Sequence, residues 1–215
     1  MDPCVLKIGG SVALQNLKGI SSVATALKNV PLGVVVGGGK TAELYVTTGR
    51  SLGLSEFALD LLGIRASRLN ALLVAEALGA SVRIPKSVEE AAERMCCRPV
   101  VMGGTVPGHT TNAVAALLAE ATGARLVNVT NVDGVYDKDP NKHSDARKLS
   151  RMSHAQLTAM AAEEDKRTAR GHFVFDLLAA KIIERSKIEA HVVNFDVAQV
   201  KAACLGKKHS GTVIG

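Results

Sequence analysis

Val34-Val35-Val36-Gly37-Gly38-Gly39-Lys40 is an apolar run that stops on three glycines and a lysine. A β-branched run of this kind reads as a buried strand. The glycines let main-chain N–H groups close on an anion where a helix begins. The same order of parts stands at Leu6-Lys7-Ile8-Gly9-Gly10-Ser11. It returns at Val100-Val101-Met102, followed by Gly103-Gly104-Thr105-Val106-Pro107-Gly108-His109-Thr110-Thr111. One such turn could merely carry the chain from strand to helix; three point to phosphate as the guest. Spacing excludes a P-loop, because Gly39-Lys40-Thr41 supplies the end of the Walker pattern while Val34 occupies the place of its first glycine.

Away from these turns, apolar stretches near 4–8, 33–36, 99–102, 125–130 and 190–194 alternate with helical patterns. That alternation predicts an α/β fold with a central, mainly parallel sheet and helices on both faces. The strongest helix signal runs from Ser55 to Leu78, with Leu59, Leu62, Ile64, Leu69, Leu72 and Leu73 at roughly helical spacing and Gly79 as the stop. Ser87 with Glu90, and Ser153 with Gln156 before residues 157–162, read as capping boxes. Asp176 opens a helix through Ile183. Residues 163–172 read as a surface loop, and Thr212-Val213-Ile214 as a last edge strand.

At 215 residues and 47% hydrophobic, with no linker or low-complexity tract, the chain is expected to form one domain, 1–215. A net charge of +6 favours anionic ligands without telling a nucleotide from RNA. With 3% aromatic residues and no tryptophan there is little to stack bases on, which disfavours single-stranded nucleic acid. The apolar runs are too short for a membrane span and residues 1–20 lack a leader pattern, so a cytoplasmic location is expected. Cys4, Cys96, Cys97 and Cys204 show no zinc spacing and read as reduced structural thiols.

Phosphoryl transfer requires two phosphates held in line and cations on the charge that spreads over the moving group. Lys7, just before the first glycine turn, and Lys181 are the candidates; the alternative for the first is a solvated strand-end lysine, and a lysine placed like the second is usually just part of a solvated helix face. The segment 127–140 runs from an apolar strand into a polar turn, where open α/β sheets bind ligands. In it Thr130 and Asn131 can hydrogen-bond a base or phosphate and Tyr136 can pack on a purine. Asp133 or Asp139 can meet ribose, a lysine or magnesium. The same residues would also make a well-capped turn. His109 suits a hydrogen bond to a ligand better than general-base work, since a phosphate oxygen is already a competent nucleophile.

These stretches, in this order, resemble the amino acid kinase family, and within it the archaeal-type uridylate kinases. The resemblance rests on KIGGS at 7–11, VVVGGGKTA at 34–42, LDLLGIRASRLNA at 59–71, GGTVPGHTT at 103–111, TNVDGVYDKDP at 130–140 and FDLLAAKIIERSKI at 175–188. It implies a three-layer αβα sandwich that phosphorylates UMP with ATP and Mg2+. The N-terminal lobe would lie mainly on the UMP side and the C-terminal lobe mainly on the ATP side. Gly10, Ser11 and Gly39 would line ATP phosphates, and Thr130, Asn131, Tyr136 and Asp139 its nucleoside. Gly38, Asp60 and the run Thr105, Val106, Pro107, Gly108, His109, Thr110 and Thr111 would hold UMP. Lys7, Lys181, Asp133 and Asp176 would serve the transfer itself.

The resemblance also implies a homo-oligomer, such as a hexamer, with the long helix as a dimer contact. One departure stands out: Glu43 occupies the place of an arginine that contacts ATP phosphates in relatives, with Lys40 or Arg50 as candidate compensators. Two further readings share the scaffold: a kinase of another small acid or phosphate, such as isopentenyl phosphate, and a non-catalytic nucleotide- or oxyanion-binding protein.

Overall fold

The computed structural model describes residues 2–138, 143–167 and 174–215. Its elements are β1 (Cys4–Ile8), α1 (Gly10–Gln15), α2 (Leu17–Ala26), β2 (Leu32–Val36), α3 (Gly39–Ser51), α4 (Glu56–Ala77), α5 (Val88–Met95), β3 (Val100–Met102) and α6 (Thr111–Thr122). They continue with β4 (Arg125–Thr130), β5 (Val135–Tyr136), β6 (Lys148–Leu149), β7 (Arg151–Met152), α7 (His154–Arg167), α8 (Leu177–Arg185), β8 (Ala190–Asn194), α9 (Val197–Cys204) and β9 (Thr212–Ile214).

The main sheet runs β3-β2-β1-β4-β8-β9-β7, and β5 and β6 form a separate antiparallel ribbon. From β3 to β8 every pairing is parallel. Parallel strands are covered on both faces, which explains their continuous apolar sequences. Alternation along each strand sends side chains to two cores. Val5, Val35, Leu126 and Val192 meet Ala91 of α5, Val114 and Leu118 of α6, Leu157 of α7 and Ile183 of α8. Leu6, Ile8, Val34, Val127 and Val193 meet Ile20 of α2, Val74 of α4 and Val200 of α9. The result is the three-layer αβα arrangement read from the sequence.

Four local readings change. Thr212–Ile214 is an internal strand, antiparallel to β8 and parallel to β7; the two-residue β7 that forms the edge is too short to be read from sequence. The box at Ser153 opens α7, with Gln156 N donating to Ser153 Oγ at 3.2 Å and Ser153 N donating to Gln156 Oε1 at 2.8 Å. This helix reaches Arg167, so residues 163–167 are helical, and 168–172 lie outside the described residues. Along α4, Leu59 and Ile64 are buried but Leu69, Leu72 and Leu73 are exposed, because Ala71, Val74 and Ala75 form the inward stripe. Cys4 and Cys204 are buried as expected of structural thiols, whereas Cys96 and Cys97 are exposed.

Candidate active site

In-register parallel pairing brings the carboxyl ends of four strands to one rim: Ile8 lies opposite both Val36 and Val129, and Val35 opposite Met102. The three glycine turns leave from that rim. The first two are pressed together. A Cβ on Gly10 would overlap the Gly37 carbonyl oxygen and the Gly39 nitrogen, and Gly39 has φ +54 with the Ser11 amide against it. Only glycine permits so close a backbone approach. The caps of α1 and α3 are Gly9 and Gly38, which offer no side-chain acceptor, so first-turn amides are left for a ligand. One is engaged: Lys40 N donates to Ser11 Oγ at 3.2 Å, joining the two turns.

Sequence reading missed what holds these turns. Asn70, buried on the inner side of α4, donates through Nδ2 to the carbonyls of Gly37 and Gly38, both at 2.9 Å. Ser67, one helical turn earlier, accepts from Gly104 N at 2.8 Å. The Arg68 guanidinium donates to Gly104 O at 2.9 Å and to Thr105 O at 3.1 Å. Two polar residues on the inward stripe of an apolar helix were the available signal, since buried polar groups occur where they are paired.

The third turn joins α4 to α8. Asp60 Oδ2 accepts from Gly108 N at 2.7 Å, where Gly108 has φ +81. Val106 is exposed, and His109 is half-buried with its amide donating to Val106 O at 3.3 Å. Thr110 caps α6 by accepting from Ala113 N at 3.1 Å, and its hydroxyl donates to Asp176 Oδ2 at 2.5 Å. Asp176 caps α8 through Oδ1, which accepts from Ala179 N at 3.0 Å.

Lys7 stands within the field of that carboxylate. Burial pushes its ammonium down to about 8, against an upward pull from Asp176. Lys181 is exposed, five residues beyond the Asp176 cap of α8. Its Cα therefore sits roughly 7.5 Å further along the helix axis.

On the other side of the rim, Thr130 Oγ1 donates to Asn131 Oδ1 at 3.0 Å. Asp133 accepts from Lys148 Nζ and from the Tyr136 hydroxyl, at 2.8 and 2.7 Å. These bonds, Lys148 first, hold its carboxyl below the usual range. The lysine it orients is thus Lys148 of β6, which sequence reading did not single out. Asp139 lies outside the described residues. Arg50 is paired with the exposed Glu56 carboxylate at 3.1 Å. A cavity of about 480 Å³ beside Leu78, Ser81 and Arg98 lies at the C-terminal end of α4 and contains none of these residues.

Lys7, Thr110 and Asp176 therefore form one cluster, Gly10, Ser11 and Gly37 to Gly39 a second, Asp60 with the third turn another, and Thr130 to Tyr136 the last. The family model described as the amino acid kinase family matches residues 2–194. The uridylate kinase of Methanocaldococcus jannaschii is 46% identical over 202 residues, 88% of this chain and 89% of that protein. That of Archaeoglobus fulgidus is 44% identical over 98% of both chains. The crystal structure of the Archaeoglobus fulgidus uridylate kinase matches over 100% of both chains with a TM-score of 0.86. The UMP kinase of Bacillus anthracis, at 18% identity, shares the fold with a TM-score of 0.82, covering 100% of this chain and 96% of that one.

Proposed function

Because this chain belongs to the amino acid kinase family, we propose that it transfers the terminal phosphoryl group of ATP to UMP. A UMP phosphate oxygen bonds to the γ-phosphorus as the bridge to the β-phosphate breaks, giving UDP and ADP. The observation that carries this reading is the meeting of the two tightest glycine turns with Lys7 at one rim of the sheet. Identity of 44% to 46% with uridylate kinases supports the choice of acceptor.

In this reading Gly10, Ser11 and Gly39 present amides to the ATP phosphates, and Lys7 lays its ammonium on charge that grows in the transition state. Gly38 and the run Thr105 to Thr111 wrap UMP, and Asp60 takes its ribose hydroxyls. Its bond to Gly108 supports that role, because the carboxylate fixes the turn with one oxygen and keeps the other for a hydroxyl. A carboxylate there also disfavours an isoprenoid tail. Thr130, Asn131 and Tyr136 receive the ATP nucleoside, with Asp133 locking the Tyr136 hydroxyl and Lys148. Lys181 approaches the transferred group from α8, whose start Asp176 fixes.

Magnesium fits as a companion of the nucleotide. Among the described residues no cluster of three or more His, Cys, Asp or Glu could cage a metal, whereas this ion ordinarily rides on phosphate oxygens and water with one or two carboxylates. Asp133 and Asp176 are the carboxylates at hand. When bound, it neutralises charge on the β and γ oxygens. No helix among the described residues is long and apolar enough to cross a membrane, and we place the enzyme in the cytoplasm. The exposed stripe Leu69, Leu72 and Leu73 of α4 supports self-association.

Coupled ADP release with UMP, CMP, AMP or isopentenyl phosphate as acceptor, with ATP or GTP, with and without magnesium, tests the proposal. UMP with ATP and magnesium should give the highest kcat/KM. A better acceptor than UMP would overturn the specificity, and no ADP formation with any of them would overturn the activity.

A further inference from the structure

Among the described residues, the buried side-chain polar atoms without a hydrogen-bond partner are the amide oxygens of Asn112 and Asn128. Both amide nitrogens donate to the same acceptor, the Val174 carbonyl, at 3.2 and 2.6 Å. That shared acceptor fixes their orientation, since exchanging oxygen and nitrogen in Asn128 would set two carbonyl oxygens face to face. Asn128 is 1% exposed, so its oxygen is out of reach of bulk water. An unpaired buried acceptor is costly, so one kept in a native core calls for a partner or a role.

Strand register sets a donor on the same face. Asn128 lies directly opposite Lys7 across the β1–β4 ladder, and paired residues of neighbouring strands project from the same face. Lys7 carries three N–H donors and, among the described residues, has no hydrogen-bond partner of its own; Asp176 is the charged group there that acts on it. The groups around it come from each adjoining element: Val35 from β2, Asn128 from β4, Thr110 and Asn112 from the start of α6, and Asp176 from the cap of α8. Val174, the shared acceptor, precedes Asp176 by two residues. The nitrogen of Asn128 thus ties down the chain that delivers the lysine's counter-ion, while its oxygen stays buried and unpaired.

We propose that Asn128 is a positioning residue for Lys7: its amide oxygen, unpaired in this structure, supplies a buried acceptor dipole on the lysine's own face of the sheet, and its amide nitrogen anchors the segment that brings Asp176 to the lysine. This role rests on Lys7 being the cation of the transfer, yet it is measurable without turnover. The pH dependence of Lys7 acylation by acetic anhydride, followed by peptide mass spectrometry on the unliganded protein, gives the lysine's pKa directly. Asn128→Asp, which adds a carboxylate, should raise that pKa by about one unit, a tenfold change in the protonation constant. Asn128→Val, which removes the acceptor, should lower it. Asn112→Ala, which loses only the second tether to Val174, should leave it in place.

Turnover gives a second readout, in which Asn128→Asp lowers kcat about tenfold with KM for UMP within about twofold. No rise in Asn128→Asp, or an equal shift in Asn112→Ala, would overturn the proposal. Should Asn128→Val fail to fold, the other two variants decide. Absence of UMP-dependent ADP formation in the unaltered protein would strike the proposed function, and the acylation result would still decide Asn128.

Discussion

Lys7 is the residue on which charge, burial and position all bear. Its ammonium is held down to about 8 by burial, with Asp176 pulling the other way. Transfer needs the protonated form. For kcat/KM, which reports the free enzyme, activity should therefore fall as pH climbs through about 8, and the corresponding limb of kcat should lie higher once phosphates surround the amine. A pH–rate profile checks both limbs. Lys7→Ala should lower kcat by at least about a hundredfold with KM for UMP changed only a few-fold, because the contact strengthens in the transition state; unchanged turnover would remove the lysine from the reaction. The sequence placed Lys7 at the first glycine turn, and only the family resemblance set Asp176 at the same transfer site. Asp176 comes from far along the chain, and its upward pull on the Lys7 ammonium shows the two at one place.

Among elements, α4 ties two of the turns to one rigid body. Asn70→Leu would strip both carbonyls of the second turn of their donor and should destabilise the protein by about 1–3 kcal/mol. It should also raise KM for ATP and UMP together, since the proposed reading gives Gly38 to UMP and Gly39 to ATP; urea unfolding and steady-state kinetics check this. The β8–β9 pair is governed by a proton-specific chain. Gly211 N donates to His209 Nδ1 at 3.1 Å, so His209 Nε2 carries the hydrogen and donates to His191 Nδ1 at 2.7 Å. His191 Nε2 then donates to Glu189 Oε1 at 2.8 Å, where Arg125 Nε also donates at 2.8 Å.

Burial pushes His191 down to about 4, despite the opposing pull of Glu189. A histidine depressed in the folded state binds fewer protons there than when unfolded. Its contribution is complete above the ordinary pKa near 6.5 and is lost as pH falls from there toward about 4, an upper bound of about 3 kcal/mol. Urea midpoints at pH 7.5 and pH 5 should show this slope, and His191→Gln should flatten it. The sequence showed the strand that carries His191 but not this chain, which depends on which nitrogen meets which neighbour.

At the scale of the whole molecule, the stripe Leu69, Leu72 and Leu73 leaves apolar area on the surface, with Leu69 60% exposed. Leu72→Glu should shift sedimentation toward the monomer while leaving the folded core intact, because these leucines face away from Val74 and Ala75; unchanged association would place the contact elsewhere. Periodicity located α4 but treated its leucines alike. A helix can carry one apolar stripe into its own core and a second toward another chain, and spacing does not distinguish them. The sequence by itself determined the strand–glycine–helix order, the parallel sheet and the three turns, because period, composition and turn chemistry are local properties. Only the tertiary structure decided that Asn70 holds the second turn, that Asp176 lies within electrostatic reach of Lys7, that Asp133 is bound to Lys148 and that Thr212–Ile214 lies inside the sheet. Each of those depends on which distant residues the register of the strands brings together, and register is a property of the packed molecule.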